Sequence, residues 1–127
     1  MINTVNKKRL LLIDDDRDAR TFVMLALCKN AVNCECVQAG NVTEAMKLFP
    51  KTAPDLIFLD YQMPGLNGLD FLTSLRKQYP ESTVPIVFYS AVLTTYIKQA
   101  ALSLGVQAII RPGAVATIAR LIKEYFG

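Results

Sequence analysis

The stretch Asp55-Leu56-Ile57-Phe58-Leu59-Asp60, followed by Tyr61-Gln62-Met63-Pro64-Gly65-Leu66-Asn67-Gly68, decides the fold. A short, purely apolar run between two acids reads as a strand buried on both faces. Proline and glycine then supply a turn. Leu69, Leu72, Leu75 and Tyr79 follow at helical spacing. A strand buried on both faces needs helices above and below its sheet, so strand and helix should alternate along the chain.

They do, five times. Leu10 to Ile13 is a second apolar run stopped by acids, and Phe22, Val23, Ala26 and Leu27 make a helical stripe after it. Cys34 to Ala39 reads as a weaker strand, and Asn41 with Glu44 forms a capping box for a helix that Pro50 should close. Pro85 to Tyr89 is the fourth strand, with Leu93, Ile97, Ala101 and Leu104 lining a helix that Gly105 stops. Val106 to Ile110 is the fifth, before a last helix through Ala114, Ile118, Leu121, Ile122 and Tyr125. The expectation is an α/β fold: a (βα)5, doubly wound, flavodoxin-like unit with five parallel strands and helices on both faces. In such sheets ligands bind beyond the carboxyl ends of the strands, near the point where strand order reverses.

The 127 residues suit one domain, expected over 1–127 with residues 1–8 as a short extension. Fourteen Lys and Arg against eleven Asp and Glu leave +3, too weak and scattered for a nucleic-acid surface. There is no histidine, which removes Ser-His-Asp and Cys-His catalysis and His-ligated metals. Cys28, Cys34 and Cys36 lack framework spacing and fit a reducing, cytoplasmic setting. Cys34 and Cys36 have no further Cys or His to complete a metal site, so they read as structural. Lys7-Lys8-Arg9 reads as a solvated end, Tyr96 and Tyr125 read as partly buried, and neither a signal peptide nor a membrane span fits.

Chemistry gathers at the strand ends. The first strand ends in Asp14-Asp15-Asp16 and the third in Asp60. If those strands are neighbours, like charges crowd together and call for a cation. Oxygen donors alone select a hard ion, and Mg2+ suits a site with few carboxylates. Asp16 reads instead as a helix cap. Ser90 after the fourth strand offers a hydroxyl, with small Ala91 beside it, and Arg111 after the fifth offers a positive fork. The set matches a phosphoryl group held by metal, hydroxyl and cation, with a carboxylate as nucleophile.

On these residues the sequence resembles the receiver domain of two-component response regulators, from about Leu10 to the carboxyl terminus. Three segments carry the resemblance: Asp14-Asp15 after its strand, Asp55 to Gly68, and Ser90-Ala91. It implies that Asp60 accepts phosphate from a histidine kinase or phosphotransfer protein. It implies that Asp14, Asp15, Asp60 and the main-chain carbonyl of Gln62 bind Mg2+, and that Ser90 hydrogen-bonds the phosphoryl group. The output would be contact with a downstream protein target, by a stand-alone receiver that is not an enzyme and engages neither nucleic acid nor membrane. The sequence departs from the family at the lysine position, which is Arg111, at the aromatic switch, which is Ala108, and at Gly113, where an aromatic often follows Pro112. The family pattern also suggests a cis Arg111-Pro112 bond. An alanine has no rotamer to swing, so a phosphorylation-independent interaction module is the alternative. A phosphohydrolase with an aspartyl-phosphate intermediate ranks last, because Gln62 stands where such enzymes place a second Asp.

Overall fold

Apolar residues on alternating sides of every central strand dictate the layers. A computed structural model describes residues 7–29, 33–111 and 115–126. The elements run β1 (Lys8–Ile13), α1 (Arg17–Lys29), β2 (Cys34–Ala39), α2 (Val42–Thr52), β3 (Leu56–Asp60), α3 (Gly68–Gln78), β4 (Ile86–Tyr89), α4 (Thr95–Ser103), β5 (Ala108–Ile110) and α5 (Val115–Phe126). The strands form one parallel sheet in the order β2-β1-β3-β4-β5. This is the expected doubly wound, flavodoxin-like order. The chain leaves β1 toward β2 on one side and returns to β3 on the other, so the order reverses between β1 and β3. No helix among the described residues is long and apolar enough to cross a membrane.

The strand period of two divides the core. Leu11, Ile13, Ile57, Leu59, Ile86 and Phe88 pack with residues of α2, α3 and α4. Leu10, Leu12, Leu56, Phe58, Val87 and Tyr89 pack on the other face with Val23 and Leu27 of α1 and Ile118 and Ile122 of α5. Phe58, Phe71 and Phe88 are fully buried, each contributing about 1.5–3 kcal/mol by removal from water.

Several elements differ from the reading of sequence alone. β1 begins at Lys8, paired with Cys34, because parallel pairing is made by main chain and does not require apolar side chains. Pro50 does not close α2; the helix runs to Thr52 and ends at Ala53, whose φ is 46° and whose N–H donates to the Phe49 carbonyl at 3.0 Å. Proline forfeits one helical hydrogen bond, but buried Phe49 and Thr52 hold the last turn on the sheet. Phe22 is 63% exposed: Val23, Ala26 and Leu27 face the sheet, and Phe22 falls beside that stripe. Tyr96 is 73% exposed, so it is a surface residue and not the partly buried one expected. Asn41 caps α2 as expected, its Oδ1 accepting from the Glu44 N–H, but Glu44 Oε1 accepts from the Gly40 N–H and not from the cap itself, so the expected box is half made. The complete capping box is that of Asn67 with Asp70 at α3.

Candidate functional site

Because β1 and β3 are adjacent, their carboxyl ends deliver their acids to one place. Ile13 pairs with Leu59, and the chain continues into Asp14 on one strand and Asp60 on the other. The Asp14 N–H extends the ladder by donating to the Ala39 carbonyl at 3.0 Å. Asp14, Asp15 and Asp60 each offer a carboxylate oxygen, and these oxygens lie within 4.8 Å of one another. Among the described residues this is the one group of metal-ligating side chains so gathered. Asp14 is 2% exposed and Asp60 9%, whereas Asp15 faces solvent.

Burial and crowding tune these groups as the charge argument requires. Asp60 is pushed up to about 7, first by burial and then by the negative charge of Asp14, with the Gln62 N–H opposing through a hydrogen bond. Asp14 is raised as well, chiefly by burial, while the Tyr89 hydroxyl and the Asp16 N–H favour its ionised form. Without a cation, the buried pair holds protons more tightly than isolated aspartates do. Three hard oxygen donors in reach of one point, on a surface opened by Asp15, fit a small divalent ion such as Mg2+.

The neighbouring loops shape this corner. Asp16 acts as a cap, its Oδ1 accepting from the Asp18 N–H at 2.9 Å. Gly68 opens α3 hard against the end of β3; a Cβ there would stand 2.5 Å from the Asp60 carbonyl oxygen. Gly65 takes φ of 78° in the intervening turn, a conformation glycine adopts without strain.

The other expected site residues sit differently. Ser90 is fully buried; its hydroxyl donates to the Val92 carbonyl at 2.7 Å and accepts from the Val92 N–H at 3.0 Å. It is therefore turned into its own loop. Arg111 is exposed and makes no ion pair with the three acids among the described residues. Ala108 is half-buried against the α1 and α5 face. Pro112 and Gly113, and with them the isomer of the Arg111-Pro112 bond, lie outside the described residues. Cys34 and Cys36 pack partly buried against the core, and burial pushes the Cys36 thiol up to about 12. Such a thiol stays protonated at neutral pH, which accords with a packing role for Cys36.

Two residues escaped the sequence reading. Arg20 of α1 donates from Nη1 to the Asp14 main-chain oxygen at 2.5 Å and from Nε to Gln38 Oε1 at 3.0 Å. Tyr89, the last residue of β4, donates its hydroxyl to Asp14 Oδ2 at 2.5 Å. A signal for Tyr89 exists in principle: a tyrosine on the buried face of a strand must find a hydrogen-bond partner, and the strand ends here carry acids.

The family model of the response regulator receiver domain matches residues 10–121. The chain is 31% identical over 119 residues to an uncharacterized response regulatory protein of Vibrio cholerae, covering 91% of this chain and 48% of that one. The chain spans 26%, 23% and 36% of three other curated relatives. Among solved structures, chemotaxis protein CheY4 of Vibrio cholerae superposes with a TM-score of 0.83 at 23% identity, over 94% of this chain and 99% of that one. The Mn2+-bound form of response regulator Rcp1 superposes with a TM-score of 0.82 at 17% identity, over 94% of each chain. At such identities these two show a shared fold.

Proposed function

The chain belongs to the response regulator receiver family, and from that premise we propose that it accepts a phosphoryl group on Asp60 and signals through protein contacts. The observation that carries this reading is the convergence of Asp14, Asp15 and Asp60 at the carboxyl ends of two adjacent strands. The donors would be a histidine kinase or phosphotransfer protein, or a small acyl phosphate. An Asp60 carboxylate oxygen attacks phosphorus, the bond from phosphorus to the donor nitrogen or oxygen breaks, and the leaving group takes that electron pair. The product is an acyl phosphate on Asp60.

Asp14, Asp15, Asp60 and the main-chain carbonyl of Gln62 would hold Mg2+, which when bound offsets the charge gathered on the phosphoryl oxygens. Ser90 would have to leave Val92 to hydrogen-bond the phosphoryl group, and Arg111 would supply the positive charge from the end of β5. The reading is of a receiver acting as a signalling module in the cytoplasm, not an enzyme with further substrates. In Mg2+ and acetyl phosphate, intact mass spectrometry should record one added phosphoryl group, and the addition should vanish in EDTA. An unmodified protein after saturating acetyl phosphate and Mg2+ would refute the proposal.

Ala108 and the exposed Arg111 favour a second reading, an interaction module indifferent to phosphate. The two separate on partner affinity. With beryllofluoride as the phosphate mimic, the phosphate-dependent reading expects a change of about tenfold, worth about 1.4 kcal/mol. Titration of a captured partner with and without the mimic checks it, and equal affinities would favour the second reading.

A further inference from the structure

Asp14 is gripped at three points. Arg20 holds its main-chain oxygen, the Asp16 N–H donates to Oδ1 at 2.9 Å, and the Tyr89 hydroxyl donates to Oδ2. The Tyr89 hydroxyl alone comes from across the sheet, two strands away in the order β1-β3-β4. Its ring is 5% exposed, stacks at 5.1 Å on Phe58, and stands in register with Asp60. Such packing leaves the phenol few alternatives, so the hydroxyl is a fixed donor aimed at one carboxylate oxygen. Each oxygen of Asp14 has a second lone pair, and those are what remain for the gap shared with Asp15 and Asp60. Meanwhile the one cation at the end of β5, Arg111, is exposed and unpaired with the acids among the described residues.

We propose that Tyr89 is a positioning residue of the acceptor site: its hydroxyl holds Asp14 in the rotamer that faces Asp15 and Asp60, and so sets the affinity for the divalent ion. The inference rests on the reading of Asp60 as acceptor. It assigns to a neutral hydroxyl on β4 the task of restraining Asp14 that no cation of β5 performs here. Hydrogen-bond partners that orient metal ligands are worth about 10- to 100-fold in metal affinity when removed.

The test is Tyr89→Phe, which keeps the ring against Phe58 and deletes only the donor. Mn2+ is titrated against wild type and variant while free Mn2+ is followed by electron paramagnetic resonance. Affinity should fall about tenfold in the variant, while circular dichroism in EDTA shows it folded as wild type is. A loss smaller than about threefold, or tighter binding, overturns the proposal. A second measurement needs no variant. In wild type labelled with 13C at tyrosine Cζ, the Tyr89 resonance should move with Mg2+ at the same midpoint as binding; a resonance that stays still while metal binds also overturns it. If wild type itself takes up neither ion, the acceptor-site reading fails first, which is a different result from wild-type binding unchanged by the Phe substitution.

Discussion

Replacing Asp60 by Asn should abolish the phosphate adduct. The amide has nearly the shape of the carboxylate, so β3, its packing on Phe88 and the close approach of Gly68 to the Asp60 carbonyl are kept. What is lost is the nucleophile, and an amide oxygen does not replace it. The remaining carboxylates are poor substitutes. Asp14 is nearly sealed, with both oxygens already accepting hydrogen bonds, and Asp15 faces solvent without comparable walls. The rate with acetyl phosphate should drop by roughly a thousandfold or more, measured as adduct formed over time by intact mass. An adduct forming at an undiminished rate in the Asn variant would show that the acceptor lies elsewhere.

The position of Asp60 is legible in the sequence because its signal is local. A short apolar run bounded by Asp55 and Asp60 can only be a central strand of this kind of sheet, and a strand's last residue lies at the edge where ligands bind. The same holds for Asp14 and Asp15. Spacing carries position but not direction. Ser90 stands where the sequence puts it, yet its hydroxyl faces Val92 and not the acids, since side-chain rotation in a loop leaves no trace in spacing. Arg111 is at the end of β5 but exposed, because spacing fixes where the main chain passes and not where a long, flexible side chain lies. Tyr89 reads in the sequence as one more apolar strand residue, and only the sheet order β1-β3-β4 brings its hydroxyl to Asp14. Phe22 shows the reverse: its composition suggests burial, and helix geometry puts it beside the packed stripe.

Stability of the metal-free protein should fall as pH rises, and Mg2+ should restore it. Asp60 is raised to about 7 in the folded chain by burial and by the charge of Asp14, against about 3.9 when unfolded. Between those values the folded state holds a proton that the unfolded state has released, so the derivative of unfolding free energy with pH is negative. The contribution is complete below pH about 4 and is lost as pH rises through about 7. Asp14, raised in the same direction, adds to the slope. Each tenfold difference in proton affinity between the folded and unfolded chain is worth about 1.4 kcal/mol, so the ceiling for Asp60 is about 4 kcal/mol. A loss of about 2–4 kcal/mol is expected between pH 5 and pH 8. Urea unfolding in EDTA at the two pH values measures it. On the proposed reading Mg2+ would bind the ionised cluster and only in the folded state, so at pH 8 it should recover about 2.7 kcal/mol at a concentration 100 times its dissociation constant. Asp60→Asn removes both the buried charge and one ligand, so it should flatten the pH dependence, raise stability at pH 8 in EDTA, and blunt the response to Mg2+. Stability that instead rises between pH 5 and pH 8 in EDTA would mean that the three carboxylates do not repel one another in the folded protein, and the electrostatic reason for a cation at this corner would be gone.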